Sequence, residues 1–186
     1  MRVLVVFNHV SLDGYFVDMH GDMSWAHKND AEWQAFVEEN ASGGGELLFG
    51  RITYELMASY WPTQAAREND PKVAERMNNL PKVVFSRTMD NPSWNNTRLV
   101  KDDIAAEIRK MKNEPGKDMV IFGSGSIVSQ LAQADLIDEY QIVVNPVALG
   151  KGRTMFDGIN QKLLLKLTKT RTFGNGCVLL CYEPMT

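Results

Sequence analysis

Three short segments of this 186-residue chain carry the residue types that hold phosphate groups: Gly50-Arg51-Ile52-Thr53, Ser86-Arg87-Thr88 and Gly123-Ser124-Gly125-Ser126-Ile127. Each follows a short apolar run, and the first and third lead into a helical pattern. Strand, small-residue turn, helix is the order that builds an anion site. Small residues let the backbone come close, and the N–H groups of the first helical turn point outward with the positive end of the helix dipole. Arginine and hydroxyl side chains add charge and donors. Ser124 or Ser126 is expected to cap its helix or to bond the same anion. The third segment has Gly-x-Gly without the third glycine of a dinucleotide fingerprint, and no P-loop lysine. Alone it reads equally well as a tight turn. Three such edges in one chain point to an extended phosphorylated ligand, such as a dinucleotide.

Other polar and aromatic residues are less specific. Asp30 precedes Ala31, Glu32 and Trp33 and is the expected N-cap of a helix. His9, His20 and His27 lack the i, i+4 spacing of a helical metal pair, so no metal is expected. Tyr15 and Phe16 follow Asp13-Gly14 in a turn-rich loop, where packing alone does not demand aromatics. They are candidate substrate contacts, and the loop is a candidate lid. Trp25, Trp33, Trp61 and Trp94 have the rings to stack on a planar ligand, although helix packing explains Trp33 equally well. Cys177 and Cys181, four apart on an expected strand, would lie roughly 13 Å apart, beyond disulfide reach. They read as reduced core thiols.

The elements that position these residues alternate. Strands are expected at residues 2–8, 46–49, 82–85, 99–100, 119–122 and 139–145. Helices are expected from Asp30 to about residue 40, from residue 51 to about 60 before Pro62, from Pro71, from residues 102–103 to Pro115-Gly116, and from the third segment to about 134. Residues 163–173 and 177–182 form an antiparallel hairpin turning at Gly174-Asn175-Gly176. The pattern predicts an α/β layered fold around a largely parallel sheet, with residues 1–186 as one domain. The apolar share of 44% supports a sizeable core, and the net charge of −3 comes without a basic stripe, so no nucleic-acid partner is expected. No apolar run reaches membrane-span length and residues 3–7 read as a buried strand, so the expected location is the cytoplasm.

The three anion segments, taken with Ser11-Leu12-Asp13-Gly14, Leu136-Ile137-Asp138-Glu139-Tyr140 and Pro146-Val147-Ala148-Leu149-Gly150-Lys151-Gly152, resemble the dihydrofolate-reductase-like superfamily. The likeness is closest to the branch containing the C-terminal reductase domain of bacterial riboflavin-biosynthesis enzymes, and it runs in order along almost the whole chain. The resemblance implies a three-layer αβα fold around a mixed sheet, an NADPH site, hydride transfer to a small heterocycle and a homodimer. By motif position, Gly50, Arg51 and Thr53 would meet the cofactor phosphates. Ser86, Arg87 and Thr88 would hold the adenosine 2′-phosphate. Gly123, Ser124, Gly125, Ser126 and Ile127 would line the pyrophosphate and nicotinamide. His9, Tyr15, Phe16 and Asp30 fall at the substrate side. Asp30 lies five residues beyond Trp25, where folate reductases place a pterin-binding carboxylate, and is the candidate to orient or protonate a ring nitrogen. Glu32 is a second candidate for that carboxylate.

Phe122-Gly123-Ser124 departs from the Glu-Gly-Gly common in the riboflavin branch, which leaves open whether a phosphoribosyl-aminopyrimidine or a pterin-like ring is the substrate. Hydride transfer asks little of side chains beyond alignment and a proton, so the lack of a catalytic triad does not disfavour a reductase. A nucleotide-binding module of the same fold without hydride chemistry is the other class of function that the sequence supports.

Overall fold

The structure, a computed structural model, describes residues 1–26, 30–42 and 45–185. Eight strands form one sheet: β1 (Leu4–Ser11), β2 (Glu46–Gly50), β3 (Lys82–Phe85), β4 (Thr97–Val100), β5 (Met119–Phe122), β6 (Glu139–Asn145), β7 (Leu165–Thr172) and β8 (Val178–Pro184). Their spatial order is β4-β3-β2-β5-β1-β6-β8-β7. β4 through β6 pair in parallel, and β8 pairs antiparallel with both neighbours, so β8 alone is reversed. The expected parallel sheet and closing hairpin are therefore both present. The expected strands at residues 46–49 and 99–100 are longer, extending to Gly50 and back to Thr97.

Among the described residues, six α-helices cover the two faces: α1 (Ala31–Ser42), α2 (Arg51–Tyr60), α3 (Gln64–Asn69), α4 (Pro71–Asn79), α5 (Ile104–Asn113) and α6 (Gly125–Gln133). α5 and α6 bury Ile108, Met111, Ile127, Val128 and Leu131 against Leu4, Val6 and Ile121. α2 and α4 pack Tyr54, Val73 and Met77 on β2 and β3. α1 sets Trp33 and Phe36 on Val143, Leu179 and Cys181. Alternation along β1 sends Leu4 and Val6 to the first of these layers and Phe7 and His9 to the other face.

Tyr54 fixes the position of α2. It is buried, its hydroxyl accepts the Trp94 N–H at 2.8 Å and lies 3.3 Å from Thr97 Oγ1. Asp103 caps α5 through the Ala106 N–H at 3.0 Å, as its position predicts. The amino edge of the sheet is tied by Arg2 to Glu46 at 2.7 Å and by Lys112 to Asp138, whose carboxylate also accepts the Leu4 N–H.

Candidate functional site

The carboxyl ends of β3, β2 and β5 lie side by side. Gly50 is level with Phe85, and the β2–β5 register Leu48 to Ile121 brings Gly50 level with Gly123. The three predicted segments therefore meet at one edge, where open parallel sheets bind ligands. Two of them touch. A Cβ on Gly123 would lie 2.7 Å from Thr53 Oγ1, and one on Gly50 would lie 2.2 Å from Ser124 Oγ. Gly123 and Ser124 both take positive φ, +60° each. Asn8, buried in β1, accepts the Gly123 N–H at 2.7 Å and holds this turn.

Both helices that start here are left open. The N-cap residue is Gly50 for α2 and Ser124 for α6, and neither helix has a side-chain cap bond. The expected capping of α6 by Ser124 or Ser126 is thus not found. Ser124 is left-handed, and its hydroxyl lies beside Gly50 and 3.4 Å from Ser126 Oγ. Uncapped N–H groups, two serine hydroxyls, Thr53 and the Arg51 guanidinium are a donor set suited to a diphosphate, and Gly50 and Gly123 let the Ser124 and Thr53 side chains pack where a Cβ would clash. These residues fit a dinucleotide.

From this edge a groove of about 2040 Å³ runs across the sheet face between α1 on one side and α2 with α4 on the other. Its floor is Val5 and Phe7 of β1 and Val120 and Phe122 of β5, all half-buried. Central strands of a parallel sheet are ordinarily covered on both faces, so this bare strip is a cleft by construction. α1 and α4 are joined across it by Gln34 Nε2 donating to Asp70 Oδ1 at 2.8 Å and by Lys72 to Glu38 at 2.7 Å. The Lys72 hydrogen bond holds the Glu38 carboxyl below the usual carboxylate range.

Gly50, Arg51, Thr53 and the run Gly123 to Ile127 border the groove, as do His9, Phe16 and Asp30. Ser86, Arg87 and Thr88 stand one strand further out and do not border it. Ser86 Oγ accepts the N–H groups of Met89 and Thr88 at 3.0 and 3.3 Å, and Arg87 is exposed. Tyr15 also stays outside, with its side chain against Gly152 and its hydroxyl 3.5 Å from Gly150 O. Asp30 does cap α1: its Oδ1 accepts the Trp33 N–H at 2.6 Å. Glu32, the other candidate, accepts the Gly174 N–H at 3.1 Å and is exposed. Trp33 and Trp61 reach the groove. Trp94 does not, being buried over the Lys82 ammonium, which lies 4.6 Å from its ring. Burial pushes the Lys82 amine down to about 8. His20 is exposed, and the expectation about His27 falls outside the described residues.

The loop read as a lid is pinned. Asp13 accepts the Ser11 hydroxyl at 2.6 Å and the Leu149 and Gly150 N–H groups at 3.0 and 2.7 Å, while Val17 and Arg153 form an antiparallel bridge. The Ser11 hydroxyl first, then the two backbone donors, hold the Asp13 carboxyl down at about 2. Sequence reading missed the buried amides. Asn8 braces Gly123, and Asn145 donates to Val10 O and Val143 O at 3.2 and 3.1 Å with its Nδ2 3.3 Å from His9 Nδ1. An asparagine ending a β-branched run, as in VVFN and IVVN, was the available signal. Cys177 and Cys181 are both buried and are not joined to each other, and burial pushes the Cys181 thiol up, which fits core thiols.

A mixed eight-stranded sheet with helices on both faces, one reversed strand near the edge and a cleft at the carboxyl ends defines the dihydrofolate-reductase-like class of α/β proteins. The chain belongs to the RibD C-terminal domain family, whose model matches residues 2–179. It is 30% identical over 183 residues to the uncharacterized protein YyaP of Bacillus subtilis, covering 98% of this chain and 95% of that one. A putative riboflavin biosynthesis protein from Shewanella sp. PV-4 has the same fold, with a TM-score of 0.75, 23% identity and full coverage of both chains. Dihydrofolate reductase from Enterococcus faecalis, solved with NADP(H), has it too, with a TM-score of 0.65, 14% identity, and coverage of 99% of this chain and 97% of that one.

Proposed function

We propose that residues 1–186 act as one domain, a cytoplasmic NADPH-dependent reductase that delivers hydride to a small heterocycle, pterin-like or aminopyrimidine-like. The observation that carries the reading is the pair of uncapped helix starts, α2 and α6, in contact through Thr53 and Gly123 and opening onto the bare floor of β1 and β5. Bound there, NADPH would supply the hydride. The chain's own residues do the rest. Arg51, Thr53, Ser124 and Ser126 hold the phosphates, with the first-turn N–H groups beside them. Gly50, Gly125 and Ile127 keep this wall close and dry, because Gly125 admits the Phe16 ring and Thr154 O where a Cβ would lie 3.2 and 3.0 Å from them. Arg87, with Ser86 and Thr88, selects the 2′-phosphate. His9, Phe16 and the Asp30 carboxylate orient the substrate ring and keep a proton at hand, and Tyr15 braces the loop behind Phe16.

The test is titration with NADPH and NADH, read by the fluorescence of Trp33 and Trp61, followed by an NADPH-consumption assay. Arg87→Ala is expected to cost at least tenfold in NADPH affinity and little in NADH affinity. Equal losses would remove the 2′-phosphate role. Because Asp30 Oδ1 is already committed to the α1 cap, a nucleotide-binding module without turnover is the second reading. NADPH binding with no oxidation across pterin and pyrimidine substrates would favour it. The same reading includes a homodimer through β7, an edge strand that exposes Leu167. A single monomeric species at micromolar concentration in sedimentation would exclude it.

A further inference from the structure

We infer that Asn145 is a positioning residue: it holds the His9 ring in the tautomer whose proton is on Nε2. His9 then offers the groove a neutral donor, and selects a substrate that turns a carbonyl oxygen or a bare ring nitrogen toward it. This deepens the reductase reading and rests on it for the chemistry of the groove, but not for the state of His9. In the β1–β6 register His9 is level with Val143 and Ser11 with Asn145, so Asn145 is the diagonal neighbour of His9 on one sheet face. Asn145 is 0% exposed, and contacts at both ends fix its amide. Nδ2 lies 3.2 Å from Val10 O and 3.1 Å from Val143 O, and carbonyl oxygens only accept. Oδ1 accepts the Cys177 thiol at 3.4 Å. Turning the amide over would set Oδ1 against two carbonyls in a dry site, which burial penalises heavily.

With the amide so held, the group facing His9 Nδ1 at 3.3 Å is an N–H donor. Nδ1 is then the accepting nitrogen, and the proton of the neutral ring is on Nε2. A proton on Nδ1 would meet the hydrogens of Nδ2. Phe7 and Trp33 hold the ring itself, each meeting it edge to face, with centroids 5.7 and 5.4 Å away. His9 borders the groove together with these two rings. Nε2 lies across the imidazole from Nδ1, which turns the donor to the groove. A fixed donor in a cleft favours an acceptor. It rejects a ligand that brings an N–H to the same spot, because both donors are then left unpaired. A C=O or C=N bond is also the kind that accepts hydride, and a donor on its oxygen or nitrogen polarises it.

Nitrogen NMR of the full chain, labelled at histidine and held at neutral pH, reads the tautomer directly. The His9 signals are those missing from His9→Phe. Nδ1 is expected to resonate as a bare nitrogen and Nε2 as a protonated one. Asn145→Asp puts an oxygen where Nδ2 was, so the proton is expected to move to Nδ1, a change that a merely structural asparagine would not produce. Pterin and its diamino counterpart, with an amino group in place of the ring carbonyl, probe the groove by their own fluorescence, without NADPH. Pterin is expected to bind at least fivefold more tightly. His9→Phe should bring the two within twofold, and Asn145→Asp should reverse their order. Should Asn145→Asp fail to fold, the unaltered chain and His9→Phe decide. A protonated Nδ1 in the unaltered chain, equal binding of the two rings, binding of neither, or a preference that survives His9→Phe would overturn the inference. So would an Asn145→Asp variant that folds with the proton still on Nε2. NADPH titration of the same samples separates the failures. NADPH binding with Nδ1 protonated sinks only this inference, and an Nε2 proton with pterin preferred but no NADPH binding sinks only the reductase.

Discussion

A methyl group on residue 50 would sit 2.2 Å from Ser124 Oγ and 2.9 Å from Ser124 Cβ. The hydroxyl can rotate away, but Cβ cannot, because Ser124 is held in the left-handed region by the turn. Gly50→Ala must therefore push the starts of α2 and α6 apart. It should cost about 1–3 kcal/mol of stability by overpacking and at least tenfold in NADPH affinity, as checked by urea denaturation and fluorescence titration. A parallel Gly14→Ala variant, where nothing lies within 4 Å, should leave the cofactor alone and pay only for its positive φ. Asp13 makes a different prediction. Its carboxyl is held at about 2, below the ordinary 3.8, so its bonds to residues 149–150 contribute above that ordinary value and are lost as pH falls through about 2. The Leu149 and Gly150 amide signals in NMR should titrate near pH 2, and Asp13→Asn should remove that titration. A midpoint near 4 would mean that the loop tie is absent in solution.

The amino edge of the sheet is built from side chains that have no part in the cleft. Arg2 joins Glu46 at the foot of β2 and lies under Gly116, before β5. Removing one partner leaves the other partly buried and unpaired, so Arg2→Ala should destabilise the fold by about 2–3 kcal/mol. NADPH affinity should stay within twofold, since the edge proposed to hold the cofactor is at the other end of the strands. Equilibrium denaturation and titration on the same variant check both. The strands and the long helices were legible in the sequence because each has a strong period or a punctuating glycine or proline, as at Gly50, Pro62 and Pro115. α3 was not legible. It is six polar or small residues that bury only Ala66, capped by Thr63, so hydropathy has no stripe to show. The three glycine- and serine-rich turns were legible as motifs, and the parallel register of β3, β2 and β5 brought them to one edge. The bare floor was not, because Phe7 and Phe122 look like any core aromatics until α1 and α2 are seen to leave β1 and β5 uncovered. The positive φ at Ser124 was hidden for a related reason: serine carries no sign of it, and it shows only once the turn is seen packed against Gly50 and Thr53.

At the scale of the whole molecule, the groove is a seam between two packing units. On one side, α1 lies on β6 and β8 around Trp33, Phe36 and Phe173. On the other, α2 and α4 lie on β2 and β3 around Phe49, Tyr54 and Trp94. Over the floor they meet through Gln34 with Asp70, Lys72 with Glu38, and Val37, which packs on both clusters. A ligand spanning the seam adds its binding free energy to the folded state alone. At a hundred times its Kd, that is about 2.7 kcal/mol, which for a chain of this size is a rise of roughly 5–10 °C in Tm. NADPH at that concentration should give such a rise, and NADH at the same concentration should give less than half of it. In Gln34→Ala, which cuts one tie across the seam, the unliganded Tm should fall while the NADPH-induced rise stays the same or grows, because the ligand then supplies part of the missing bridge. Equal rises from the two nucleotides would remove the 2′-phosphate contact from the account. No rise from either would mean that the open starts of α2 and α6 bind no cofactor at all.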